Sequence, residues 1–307
     1  MSIPKSIKFS KEVSKARQRG NPIVALESTV ITHGLPRPEN MQLARDLESI
    51  VRSEGAVPAT IAVLNGRVCV GVEASELERL ATDESAHKLS SRDLAAAVAD
   101  EASGGTTVAA TLRVASMAGI RVFATGGIGG VHRGSYWDVS ADLPELARQP
   151  VLLVCAGAKA ILNLPATLEQ LETLGVPVIG YQTDKFPAFY SIESGLPTSA
   201  RADSSEQVAE IACTHWDLRD GGLMLAVPLP AESALPRADV EAWIVQAQAE
   251  ADAQGIHGQE VSPFLLKRVS ELSGGRSMAA NLALLKNNAT IAAKVAKVLN
   301  TKSKKQA

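Results

Sequence analysis

Ile23-Val24-Ala25-Leu26-Glu27-Ser28-Thr29 is a short apolar run closed by an acid and two hydroxyls, and Pro38-Glu39-Asn40 then opens a stretch in which Leu43, Leu47, Ile50 and Val51 recur every three or four residues as far as Gly55. Ile23 to Leu26, in the first run, has the length and β-branching of a strand. The second has helical period, with proline at its start and glycine past its end. Together they form one strand-to-helix step. Further strand candidates are Ala59 to Leu64, Arg67 to Val72, Val122 to Thr125, Val151 to Cys155, Val176 to Tyr181 and Leu223 to Val227, with helical stretches between them. Such alternation predicts a layered α/β protein. From Pro236 onward only helices are expected, over Val240 to Ala253, Ser262 to Leu272 and Ser277 to Leu299. Ser194 to Ser205 reads as a long loop, residues 1–20 as an N-terminal helix or arm, and residues 300–307, with the basic Lys302, Lys304 and Lys305, as a disordered tail.

A chain of 307 residues, 46% apolar, can bury a sizeable core in a single domain spanning 1–307. Thirty-one Lys and Arg against thirty-three Asp and Glu give a net charge of −2, with no basic face interleaved with aromatics, so nucleic acid is not an expected partner. The longest clear apolar run, Pro150 to Ala156, falls far short of the ~20 residues that cross a bilayer, and the first residues show no secretory pattern. Cys69, Cys155 and Cys213 are odd in number, far apart and set among Val, Leu and Ala, as expected of buried thiols in a reducing, cytoplasmic setting.

Four segments are too unusual to be scaffold. Glu27 stands at the C-terminal end of a strand, where open α/β sheets place their ligands, and a proton-donor role there needs a raised pKa; an edge-strand acid or a cap is the alternative. Thr125 to Gly134 carries five glycines, but His132 stands where a dinucleotide loop has its third glycine, so that reading fails. Close approach to a ligand or a tight crossover remain. Asp138 and Asp142 set two carboxylates four residues apart at the head of a helix, suited to a hard divalent cation, with N-capping the alternative for Asp142. None of the histidines, His33, His87, His132, His215 and His257, has zinc spacing. Lys159 follows the apolar Val151 to Cys155 run and is expected to open a helix. There the dipole and desolvation both favour the neutral amine that forms Schiff bases, and a pKa near 7 requires about 4.6 kcal/mol of differential interaction. A solvent-directed lysine is the alternative. Lys88, with Ser90, Ser91 and Arg92, and Gly104 to Val108 each precede a predicted helix and have phosphate-binding chemistry, or are plain caps.

The combination resembles the pseudouridine-5'-phosphate glycosidase family, also called indigoidine synthase A-like. The resemblance is carried by Ala25 to Gly34, Gly55 to Ala62, Thr125 to Gly134, Ser140-Ala141-Asp142-Leu143, Cys155-Ala156-Gly157-Ala158-Lys159, Pro263-Phe264-Leu265-Leu266 and Ser277 to Ala289. Ser135-Tyr136-Trp137 stands in place of a loop that is often longer in the family. The resemblance implies an α/β/α fold with a mixed central sheet, a homotrimer, and a lyase that reversibly splits the C–C glycosidic bond of pseudouridine 5'-phosphate to uracil and ribose 5-phosphate with Mn²⁺. By position it implies Lys159 as nucleophile, Glu27 as proton donor and Asp138 as metal ligand. It places Lys88 and Val108 at substrate-binding positions and Ser140, Ala141 and Asp142 in a sugar-phosphate and metal-proximal loop, with Thr125, His132 and Asn281 near the substrate. Asn281 and Asn288 are seven apart, and either amide matches a uracil edge. A Schiff-base aldolase for another sugar phosphate would use the same lysine without needing Asp138, and a non-catalytic sugar-phosphate binder would not need the lysine.

Overall fold

The computed structural model describes residues 4–134, 137–256, 258 and 261–306; Ser135, Tyr136 and His257 lie outside them. Eleven strands among the described residues form one sheet. They are β1 (Ile7–Phe9), β2 (Ile23–Leu26), β3 (Val57–Leu64), β4 (Arg67–Val70), β5 (His87–Leu89), β6 (Gly104–Thr106), β7 (Val122–Ala124), β8 (Leu152–Cys155), β9 (Val178–Tyr181), β10 (Ala200–Ala202) and β11 (Leu223–Ala226). Their order is β1-β4-β3-β2-β7-β8-β11-β9-β10. β3 is long enough to serve two neighbours in turn: Val57 to Thr60 pair with β2, and Ala62 and Val63 pair with β6, which carries β5 on its far side. The β3–β4 and β3–β6 pairs are antiparallel and the others parallel, so the sheet is mixed, as expected.

The helices are α1 (Lys11–Arg19), α2 (Glu39–Ser53), α3 (Ala74–Thr82), α4 (Leu94–Ala99), α5 (Val108–Met117), α6 (Asp142–Arg148), α7 (Leu164–Thr173), α8 (Ser205–Leu218), α9 (Arg237–Ala253), α10 (Val261–Leu272) and α11 (Arg276–Gln306). All four residues of β8 and of β11 are buried. Successive strand residues face opposite sides, so both faces of the central sheet are covered, the condition that makes such strands read as unbroken apolar runs. α11 packs against β2, β7 and β8. Ala280, Leu284, Ala289, Ala292 and Val295 are at most 1% exposed along its length, and the small residues among them let its backbone come close to the sheet.

Three expectations are corrected. Ser194 to Ser205 contains β10, which extends the sheet beside β9 before Ser204 caps α8. The basic end is the last part of α11, with Lys302 paired to Glu210 and Asn300 Nδ2 donating to the Gly20 carbonyl at 3.0 Å. Lys159 opens no helix: α7 begins at Leu164, where Asn163 caps the Ala166 N–H and Pro165 occupies the first turn.

Candidate active site

β2, β7 and β8 run parallel, so their C-terminal ends come to one edge of the sheet, where ligands of open α/β folds bind. Glu27 and Thr29 follow β2, Thr125 and the glycine loop follow β7, and Lys159 follows β8. The side branch completes the ring: Lys88 lies on β5, Ser90 follows it, and Thr107 and Val108 follow β6 at the start of α5. A cleft of about 340 Å³ at this edge is lined by Glu27, Lys88, Val108, His132, Asp138, Ser140, Ala141, Asp142 and Lys159, nine of the eleven residues singled out in the sequence. Thr125 lies just behind, its hydroxyl donating to the Glu27 carboxylate. Asn281 lines an adjoining, more apolar chamber of about 460 Å³, which shares His33, Gly34, Pro263 and Leu266 with the cleft.

A polar weave holds Glu27 in place. The Ser28 hydroxyl donates to the Ile61 carbonyl at 2.6 Å and accepts the Thr106 N–H at 2.9 Å, tying the end of β2 to β3 and β6. Desolvation pushes the Glu27 carboxyl above the usual carboxylate range, opposed by the Lys159 cation, the Thr125 hydroxyl and Lys88, and aided by Asp142. Glu27 is thus disposed to carry a proton, as a general acid requires. Among the described residues, Nζ of Lys159 has no hydrogen-bond or ion-pair partner, although Glu27 and Lys88 are both near enough to feel its charge. With no helix at Lys159, the dipole cannot favour its neutral form. The neighbouring Lys88 has its own pKa lowered, by desolvation first and then by the Lys159 charge.

Asp142 is 7% exposed and is not the N-cap of its own helix, which Ala141 occupies. Its Oδ1 accepts the Ala109 N–H at 2.9 Å, in the first turn of α5, and its Oδ2 accepts the Gly129 N–H at 2.8 Å. The carboxylate therefore caps a neighbouring helix, where the dipole favours an anion, and clamps the glycine loop to it. Thr107 caps the Ala110 N–H, which leaves the Val108 N–H of this helix end without a protein acceptor among the described residues.

The glycines serve packing rather than open space for a ligand. A Cβ on Gly129 would run into Ser140 Oγ, one on Gly130 into the Thr167 hydroxyl and one on Gly127 into the Phe189 ring. Asn288 is 1% exposed, and its Nδ2 donates to the Thr125 carbonyl at 2.8 Å and the Gly126 carbonyl at 3.3 Å, so it faces the loop from behind and reads no base edge.

No group of three or more His, Cys, Asp or Glu stands together among the described residues as a metal cage. The cleft nevertheless fits a hydrated hard cation. Asp138 lines it, is exposed, and its carboxylate has no protein partner among the described residues. One free carboxylate plus waters is a donor set that Mg²⁺-like ions accept. Asp142, with both oxygens engaged, is a poorer ligand. Thr29, Ser262, Pro263 and Leu266 also line the cleft and were not singled out as site residues. For the α10 residues the signal was present in Pro263-Phe264-Leu265-Leu266, a helical face that needs no ligand to account for it.

A lysine amine and a carboxyl of raised pKa, set at the C-terminal edge of a mixed sheet beside a helix start capped by a carboxylate, accord with the class that the comparisons give: the chain belongs to the indigoidine synthase A-like family, whose model matches residues 12–298. Within it, the chain is 54% identical over 295 residues to the pseudouridine-5'-phosphate glycosidase of Geobacillus kaustophilus, covering 95% of this chain and 98% of that protein. It is 49% identical over 302 residues to the protein of the same name from Staphylococcus aureus, covering 97% and 98%. Among solved structures it is similar to the prealnumycin C-glycosynthase AlnA, determined with ribulose 5-phosphate, with a TM-score of 0.91 and 39% identity over 98% of this chain and 99% of that one. An indigoidine synthase A-like protein from Thermotoga maritima matches with a TM-score of 0.88 and 37% identity over 96% of each chain.

Proposed function

We propose that this chain cleaves, reversibly, the C–C glycosidic bond of pseudouridine 5'-phosphate to give uracil and ribose 5-phosphate, acting as a lyase through a Schiff base on Lys159. The observation that carries the reading is the Lys159 amine, without a partner among the described residues, sharing a cleft with Glu27, whose proton affinity is raised. The names of the relatives supply the substrate, and a C-glycosynthase neighbour solved with a pentulose phosphate supports chemistry at the C–C glycosidic carbon.

A C–C bond has no leaving oxygen to protonate, so the two-carboxylate route of ordinary glycosidases does not transfer. In the proposed sequence, Lys159 Nζ attacks C1 of the sugar, the C1–O4 bond breaks, and O4 takes the proton that the amine gives up. The nitrogen lone pair then forms the C=N bond of an iminium as the bond from C1 to C5 of uracil breaks, and Glu27 delivers its proton to C5. Water adds at C1, and collapse of that adduct returns the amine and frees the aldehyde of ribose 5-phosphate. Lys88, Ser90 and the free Val108 N–H bind the phosphate at the start of α5. Ser140, Ala141 and Asp142 line the sugar-phosphate side, His132 and Asn281 face the base, and Thr125 acts from behind the cleft through its hydrogen bond to Glu27. Asp138 is the residue that would hold a divalent cation, Mn²⁺ by family resemblance, which when bound supplies positive charge to substrate oxygens. We assign the assembly as a homotrimer on the same resemblance and its setting as cytoplasmic on the scattered, unpaired cysteines; no helix among the described residues is long and apolar enough to cross a membrane.

The test is incubation of the purified chain with pseudouridine 5'-phosphate and Mn²⁺ while free uracil is followed by chromatography. Release of uracil and ribose 5-phosphate in equal amounts is expected. Absence of uracil, with another sugar phosphate split instead, would favour an aldolase.

A further inference from the structure

Asn288 sits on α11, on the far side of the glycine loop from the cleft, and lines neither the cleft nor the adjoining chamber. Its amide does two things in the structure. Nδ2 spans the consecutive carbonyls of Thr125 and Gly126 at 2.8 and 3.3 Å, while Oδ1, equally buried, has no partner among the described residues. The orientation of the amide is settled by its surroundings, because two carbonyls can be met only by the NH₂ end. A buried acceptor left unpaired costs stability, and a leucine of similar volume would avoid that cost. The geometry that retains Asn288 leads toward the cleft: the residue whose carbonyl it holds is the one whose hydroxyl donates to Glu27.

We propose that Asn288 is a positioning residue for the proton donor, acting from α11 through the Thr125–Gly126 turn to hold the Thr125 hydroxyl against the Glu27 carboxylate. The proposal rests on the reading of Glu27 as general acid. Its consequence is directional. The Thr125 hydroxyl favours the ionised form of Glu27, as does the cation of Lys159 and, more weakly, of Lys88, while desolvation and Asp142 oppose it. His33, His132 and Asp138 line the same cleft. Loosening Thr125 therefore raises the Glu27 pKa further, so the alkaline limb of the pH–rate profile moves up while the carboxyl becomes less well aimed.

The experiment is a double-mutant cycle on the intact chain with N288A and T125V. Each single variant is expected to lose about tenfold to a hundredfold in kcat on pseudouridine 5'-phosphate, with KM within about twofold and the alkaline limb shifted upward, because misplacement by about 1 Å can cost a hundredfold. The double variant should fall no more than about twofold below the weaker single one. Losses that multiply, an unshifted limb, or a fall confined to KM would overturn the proposal. Asn288→Ser, which keeps one donor for the turn, is expected to lie between wild type and N288A, and it serves the cycle if N288A does not fold. A carbon-13 titration of the Glu27 carboxyl, assigned by its loss in Glu27→Gln, needs no turnover: an upward shift in N288A and T125V supports the proposal even if wild type releases no uracil, and no shift in either defeats it.

Discussion

Asp142→Asn isolates what the structure says about the aspartates of the Asp138 to Asp142 segment. Asp142 accepts two backbone N–H groups, at 2.8 and 2.9 Å, one on each carboxylate oxygen, and is 7% exposed. An asparagine offers one acceptor and one NH₂, so whichever way it turns, one of the N–H groups of Ala109 and Gly129 meets another donor. The loss is one charge-assisted hydrogen bond, worth about 1.5–3 kcal/mol, plus about 1 kcal/mol or more for the buried N–H left unpaired, partly overlapping terms that together give about 3 kcal/mol. The remaining bond also weakens, because it no longer ends on a charge. Equilibrium denaturation at neutral pH should therefore show a shift of about 3 kcal/mol in unfolding free energy with an unchanged m-value. Turnover should fall at every Mn²⁺ concentration, since the glycine loop and the start of α5 both lose their clamp. A variant within 0.5 kcal/mol of wild type, with activity restored by added metal, would refute the clamp and return Asp142 to the role of metal ligand.

Other outcomes follow from the same geometry. Chelation should stop turnover and Mn²⁺ restore it, with Asp138→Ala raising the metal concentration needed and leaving thermal stability unchanged, because the exposed Asp138 carboxylate has no protein partner among the described residues; full activity in metal-free protein would remove Asp138 from the site. Unphosphorylated pseudouridine should be at least about a hundredfold weaker in kcat/KM, consistent with charge-assisted bonds of about 1.5–3 kcal/mol to the phosphate, and Lys88→Ala should narrow the gap by harming only the phosphorylated substrate. Equal losses on both substrates would show that Lys88 does not read the phosphate.

The central strands were legible because both faces of the sheet are covered: β2, β8 and β11 read as compact apolar runs, and β2 begins and ends where the sequence indicates. β5 and β6 were not legible. Each is three residues long, one holds a histidine and a lysine and the other two glycines, and they are strands only because β3 extends far enough to pair with β6. That branch brings Lys88 to the cleft, so local pattern could suggest phosphate chemistry for it without indicating how it arrives. Lys159 is the instructive miss. The turn after β8 begins with Gly157 at a φ of +85°, and the following residues bridge to the glycine loop, Ala158 with Ile128 and Leu162 with His132, before Asn163 starts α7. Strand-to-helix logic expected the helix five residues too early, and with it went the dipole that was to favour the neutral amine. What the structure does give Lys159 is a place in the cleft that it shares with Glu27. Asn288 shows the opposite case. Its spacing from Asn281 suggested a shared role on one helix face, but only the packing of α11 against β7 shows that it addresses the loop behind the site.

The central claim, a covalent iminium between Lys159 and the sugar, is tested most directly by borohydride trapping. The chain is mixed with pseudouridine 5'-phosphate and Mn²⁺, reduced, and read by intact mass and peptide mapping, with Lys159→Ala as control. The account predicts a stable adduct of the ribose 5-phosphate chain without uracil on Lys159, and neither adduct nor turnover in Lys159→Ala, which should fold with wild-type stability to within about 0.5 kcal/mol because the amine has no protein partner to lose among the described residues. Uracil release without any trapped adduct, or an adduct on a different lysine, would contradict it.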